Sequence, residues 1–190
     1  MAGSTSKYRV KGAVVRSYLK FLEREKLLGR VLEQLSPEHA AVLKQPPLVG
    51  TWVDAWALIE TSRAVLALSG PEGLRRMARE TIDTHSRYDF IMPFLLGVMR
   101  LFGMSPASLF ARFNELARTS VEGMEFRYTA KSDRAGVMMV RYDLDRPIPS
   151  FCWMTTAAVL ENTFIICKTK GTVGEARTLG ANSAEFDLAW

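Results

Sequence analysis

The chain has 190 residues, 48% of them hydrophobic and 24% charged, with a formal net charge of +5. That is enough apolar material for a sizeable core, which excludes a disordered chain and predicts one mixed α and β domain over residues 1–190. Two cysteines, Cys152 and Cys167, are too few for a disulfide framework.

Met1 to Ser6 is small and polar with no apolar stretch behind it, unlike a secretory leader, so a reducing cytoplasm is the expected location. The longest apolar run, Phe90 to Phe102, contains Pro93, Gly97 and Arg100 and falls short of the about 20 residues that span a bilayer. Positive charge gathers early: Lys7, Arg9, Lys11, Arg16, Lys20, Arg24, Lys26 and Arg30 face only Glu23 and Glu25. With Tyr8 and Tyr18 interleaved, such an arm could touch nucleic acid or an acidic partner. The basic residues keep no fixed spacing, however, and the pattern favours a solvated helix face over a nucleic-acid site.

In chain order, apolar residues between Val10 and Leu35 fall at helical intervals, with a break predicted around Gly29 and the Glu23 to Lys26 cluster. The second of these helices carries Leu27, Leu28, Val31, Leu32 and Leu35 on one stripe. Ser36 before Pro37 is an N-cap with proline at the first helical position, so a short helix should run through Leu43 and end at Pro46 and Pro47. Thr51 to Asp54 has capping-box spacing, with Asp in place of Glu or Gln. It predicts a helix to about Leu68, with Trp52, Trp56, Ile59 and Val65 on its stripe. Ser69 to Gly73 separates this from a helix through Met77, Ile82 and His85. From Tyr88 to Phe102 apolar residues occupy nearly every side, the pattern of a central or partner-bound helix. Ser105 and Pro106 start a further helix carrying Leu109, Phe110, Phe113 and Leu116.

The last third, from Ser120, changes period. Met124, Phe126, Tyr128 and Ala130 alternate with Glu125, Arg127 and Thr129, and the chain resumes alternating at Val137, which predicts an antiparallel strand pair. Pro147 to Ser150 breaks the pattern and starts a helix from Phe151 to about Leu160. Thr163 to Lys168 is expected to pair with Ala184 to Trp190 across a flexible glycine-rich loop. The expected fold is therefore α+β: about seven helices over residues 1–119 packed on a four-stranded antiparallel β-β-α-β-β unit over residues 120–190.

No catalytic signature is present. His39 and His85 are the only imidazoles, neither lies beside a nucleophile motif, and both read as structural or hydrogen-bonded side chains. Gly171 to Gly174 lacks the lysine and strand-to-helix context of a phosphate cradle. Asp143 and Asp145 read as turn formers more than as cation ligands. The chain is accordingly read as no enzyme, with no catalytic residue, no resident metal and no cofactor.

The segment Cys167 to Gly171 followed by Ala184 to Trp190, with Lys11-Gly12 and the Thr51-Trp52 start, resembles a myxobacterial paralogous family of unknown function. That family is similar to vinyl-reductase-type small-molecule-binding domains and, more distantly, to transport-particle subunits and haem-based nitric-oxide sensors. The resemblance implies helices packed on one sheet, an apolar cavity between them, and a sensor or interaction role. The related sensors carry a second cysteine where this chain has Ala184, so no zinc or thiolate site carries over to Cys167, and no histidine matches a haem ligand.

Two functions compete. One is a ligand-binding module whose apolar or aromatic small molecule is lined by Trp56, Phe90, Phe94, Phe110, Phe113 and Trp153. The other is a scaffolding module that forms a homodimer or meets a signalling partner through the all-round apolar helix and a sheet edge. Against both stands plain core packing by the same aromatic and Met side chains.

Overall fold

The computed structural model describes residues 7–88 and 105–190, with the side chains of 83–88 outside that description. The chain forms two compact units: unit 1 gathers Met1–Arg9 with Gly103–Trp190, and unit 2 is Val10–Phe102. The fold is α+β, as the change of period along the chain predicts. Among the described residues six helices precede the main sheet and one is carried on it. None of these helices is long and apolar enough to cross a membrane.

Unit 2 follows β1 (Arg9–Lys11) with α1 (Gly12–Arg24), α2 (Leu28–Gln34), α3 (Pro37–Lys44), β2 (Trp52–Asp54) and α4 (Trp56–Tyr88). Its core is apolar: Val15, Leu22, Val31, Val65, Leu74 and Met77 have no exposed surface. The break after α1 falls at Glu25 to Leu27, overlapping the Glu23 to Lys26 cluster that predicted it, whereas Gly29 lies inside α2. Lys26 takes a left-handed φ of 57° there. Its N–H donates to the Glu23 carbonyl and that of Leu27 to the Leu22 carbonyl, a Schellman stop with lysine where glycine is usual. Ser36 caps α3 as expected, accepting from the His39 N–H at 3.3 Å. The capping box predicted at Thr51 does not form. Trp52 to Asp54 is strand, and Asp54 Oδ1 instead accepts from the Trp56 N–H at 2.7 Å. Within α4, Gly70 at φ 68° and ψ −175° interrupts the helix just before Pro71, where the glycine signal placed a separation.

The start of α1 is held by the loop that follows α3. Gly12 and Ala13 N–H groups donate to the carbonyls of Thr51 and Val49, and Arg16 donates from Nε to the Pro47 carbonyl and from Nη2 to that of Pro46. A Cβ on Gly12 would stand 2.1 Å from the Leu48 carbonyl oxygen, which is backbone and cannot swing aside. Gly12→Ala is therefore expected to lose at least the ~1–3 kcal/mol of an overpacked site. Urea unfolding measures it, and an unchanged midpoint would contradict the contact.

Unit 1 contains α5 (Pro106–Ala111), α6 (Phe113–Arg118), β3 (Val121–Glu122), β4 (Met124–Ser132), β5 (Ala135–Tyr142), α7 (Phe151–Ile166), β6 (Thr172–Val173), β7 (Arg177–Gly180) and β8 (Ser183–Ala189). Ser105 and Ser108 close a reciprocal capping box at α5. The helix predicted from Ser105 is two short ones, divided at Arg112. The sheet has five antiparallel strands, not four: β4, β5 and β8 run side by side, and both β6 and β7 pair with β8. The predicted partner of the last strand is corrected too. Thr163 to Ile166 belongs to α7, and Cys167 is its C-cap. The glycine-rich stretch read as a loop supplies the true partners, β6 and β7.

The register pairs Tyr128 with Met138 and Met138 with Phe186. One face thus carries Phe126, Tyr128, Met138, Val140, Phe186 and Leu188, all buried except half-buried Tyr128. The other face is charged: Glu125 pairs with Arg127 and Arg141, and Arg177 with Glu185 and Asp187.

Candidate ligand-binding core

Two groups of aromatic rings lie in unit 1. The larger surrounds Phe110, which α5 presents at 1% exposure. Tyr128 stacks on it at 5.8 Å between centroids and an interplanar angle of 27°. Phe164 meets it edge-on at 5.6 Å, with Trp190 at 6.1 Å and Phe113 at 6.4 Å. Phe113 in turn packs on Phe126 at 4.7 Å. Edge-to-face and offset contacts at these separations each add about 0.5–1.5 kcal/mol beyond area burial. The smaller group holds Trp153, 7% exposed, against Tyr142 at 5.4 Å and Phe186 at 6.4 Å, with Tyr8 edge-on to Tyr142 at 5.2 Å.

Two glycines make room for the larger group. A Cβ on Gly136 would stand 2.4 Å from Tyr128 Cε2, and one on Gly171 would stand 2.5 Å from the Phe164 ring. Each ring therefore occupies space that a side chain at the glycine would fill. Yet the group is not closed: Phe113, Tyr128 and Trp190 are only half-buried, although each makes ring contacts.

Polar groups within these clusters are few. Thr156 Oγ1 donates to the Cys152 carbonyl at 2.9 Å, so the 2.8 Å contact with Tyr142 is a hydrogen bond donated by the tyrosine. Tyr128 differs, because its hydroxyl oxygen is buried and has no hydrogen-bond partner among the described residues. Burial also holds its pKa above the ordinary tyrosine value.

Of the residues predicted to line a ligand, Phe110 and Phe113 come together, and Trp153 stands in the second group. Trp56 begins α4 in unit 2, half-buried. Phe90 and Phe94 lie outside the described residues, as does the all-round apolar helix predicted around them. Tyr128, Phe126, Phe164 and Trp190 were not predicted as lining residues. The alternation of β4 and β8 carried a signal for three of them, but Phe164 was hidden by its assignment to a strand.

The two cysteines are free. Among the described residues no group of three or more His, Cys, Asp and Glu could hold a metal ion. Cys167 is half-buried and burial pushes its thiol pKa up, which lowers the reactive thiolate fraction. Native Cys167 is therefore expected to react with iodoacetamide at pH 8 more slowly than a free cysteine, and to equal it once the protein is unfolded. Peptide mass mapping of the alkylated site gives the rate; equal native and unfolded rates would overturn this.

At least five of the eight basic residues of the early chain make defined contacts, Arg16 with the carbonyls already described. Lys7 pairs with Asp143, Arg9 with Glu122, and Arg24 with Glu25 and Glu80, while the Lys11 ammonium lies 5.5 Å from the Trp52 ring centroid.

No protein-family model matches the chain, and no curated protein matches it. Solved structures do. The unliganded Fe(II) H-NOX protein from K. algicida aligns over 94% of this chain and 95% of its own, with a TM-score of 0.69 at 14% identity. An H-NOX domain described as oxygen-binding and related to soluble guanylate cyclases aligns over 94% of both chains, with a TM-score of 0.62 at 15% identity. A variant of the T. tengcongensis H-NOX aligns over 94% of this chain and 96% of its own, with a TM-score of 0.65 at 15% identity. At such identities the likeness establishes the fold, and that fold is the H-NOX fold. It corrects the family read from the sequence: the chain is not of the vinyl-reductase or transport-particle kind, and the short motifs at Cys167 and Ala184 did not carry that assignment.

Proposed function

We propose that the chain is a non-catalytic sensor or binding module on the H-NOX fold, holding an apolar or aromatic small molecule against the Phe110 ring group. The observation that supports this reading is the partial exposure of that group: Phe113, Tyr128 and Trp190 make ring contacts yet keep exposed apolar surface that a bound molecule would cover. Trp153 is the further wall candidate from the sequence that lies in the same unit.

The solved neighbours include haem proteins, so the fit of a haem to these residues matters. Haem iron takes an axial imidazole, thiolate, phenolate or Met/His pair. Unit 1 contains no histidine, since His39 and His85 both fall in unit 2. Burial holds the Cys167 thiol and the Tyr128 phenol in their protonated forms, against the deprotonation that ligation requires. The described residues around Phe110 therefore do not fit a haem, and the ligand proposed here is an organic molecule without iron.

Native mass spectrometry of the purified protein, followed by denaturing release, tests the reading. A mass excess that leaves as an organic compound on denaturation, with no Soret absorption band, is the expected result. Release of a porphyrin, or failure to hold any uncharged aromatic probe, would refute it.

A scaffolding role is favoured by one feature: β4 is an edge strand of 9 residues whose Arg127 and Thr129 to Ser132 are exposed. Such an edge can take another strand. The same spectra report subunit number, and a dimer with no retained compound selects this alternative.

A further inference from the structure

Resting on the reading of unit 1 as a ligand-holding core, we propose that the Tyr128 hydroxyl is its polar recognition point, donating a hydrogen bond to an uncharged acceptor on an otherwise apolar ligand. The ligand class is thus an aromatic ketone, ester, amide or ether rather than a hydrocarbon or a carboxylate.

The argument begins with the orphaned hydroxyl. Nearly all buried polar side-chain atoms in folded proteins are hydrogen-bonded, and leaving one unpaired costs about 1–3 kcal/mol. Tyr128 Oη is buried without a partner among the described residues, so its position calls for one that they do not supply. The side chain has little freedom to swing elsewhere. Phe110 stacks on its ring, and the ring runs so close to Gly136 that a Cβ there would stand 2.9 Å from the hydroxyl oxygen. A phenylalanine would fill the same slot without the unpaired group, whereas tyrosine places a single donor among rings.

The surroundings then select the acceptor. The phenol stacks on Phe110, and Phe113, Phe164 and Trp190 pack around that same Phe110 ring, so the nearest ring surface is apolar. A carboxylate brought against these rings would be desolvated with no cation to balance it. A carbonyl or ether oxygen loses far less on entry and satisfies the O–H directly. Burial keeps the phenol protonated and therefore a donor.

Two uncharged fluorescent probes separate the possibilities: 6-propionyl-2-(dimethylamino)naphthalene, which carries a ketone, and N-phenyl-1-naphthylamine, which has no carbonyl. Each is titrated into the wild-type chain, Tyr128→Phe and the control Tyr18→Phe, whose hydroxyl contacts Ser62 in unit 2. Tyr128→Phe should bind the ketone about tenfold more weakly, the effect of one lost hydrogen bond, and should bind the amine as wild type does. Its melting temperature should not fall, because the substitution removes an unpaired buried group. Unchanged ketone binding, or equal losses for both probes, overturns the proposal while leaving the ligand-holding reading in place. If wild type binds neither probe, that reading fails and the role of Tyr128 fails with it.

Discussion

Removing residues 184–190 should abolish soluble expression. β8 is the central strand of the sheet: it pairs with β5 along one side and with β6 and β7 along the other. Its inward residues Ala184, Phe186 and Leu188 are at most 1% exposed. Deletion strips the backbone partners from three strands and the apolar cover from Met138 and Val140 together. Two of those strands, β6 and β7, are short and have no other pairing in the sheet. Soluble expression and thermal melting of the truncated chain give the answer. A truncated protein that melts within a few degrees of the full chain would refute the account.

Phe110→Ala should be the most damaging single truncation in unit 1, losing about 3–5 kcal/mol. The side chain is 1% exposed and meets four other rings, so its removal leaves a cavity that rigid aromatic neighbours cannot collapse to fill. Phe113→Ala is the matched control. It removes the same atoms from a half-buried position on a helix with no buried residue, and should cost clearly less. Urea denaturation of both variants measures the difference. Equal losses would mean that Phe110 does not centre the ring group.

Where local chemistry decided the structure, the sequence could be read directly. Ser36 with Pro37 and Ser105 with Pro106 start helices because a hydroxyl beside a proline satisfies and pre-shapes a first turn whatever surrounds it. The alternation of Ala184, Phe186 and Leu188 survives because one face of β8 is buried. The second hairpin was misread for the opposite reason. α7 buries Cys152, Trp153, Thr156, Ala157, Ala158, Leu160, Asn162, Thr163 and Phe164, so it carries no single apolar stripe, and its β-branched end imitates a strand. Its true continuation at Thr172–Val173 and Arg177–Gly180 is short, mostly exposed and without alternation, and only pairing with β8 makes it strand. The candidate core was half legible for a related reason. Composition marks aromatics, but the meeting of Tyr128 with Gly136 depends on the β4–β5 register, a property of two strands together.

The split of the chain into units has a consequence for synthesis. Unit 2 is one continuous stretch, so all of its own residues have left the ribosome once residue 102 has emerged. Unit 1 draws on residues before 10 and after 102, and joins Arg9 to Glu122 and Lys7 to Asp143 across more than a hundred positions of chain. Closing such long loops slows folding. Between the emergence of β5 and that of β8, β5 is paired on one side only, and Met138 and Val140 lack the strand that carries Phe186 and Ala184. During that interval β5 presents an open strand edge with apolar residues beside it, and this is where a holdase chaperone would engage the nascent chain.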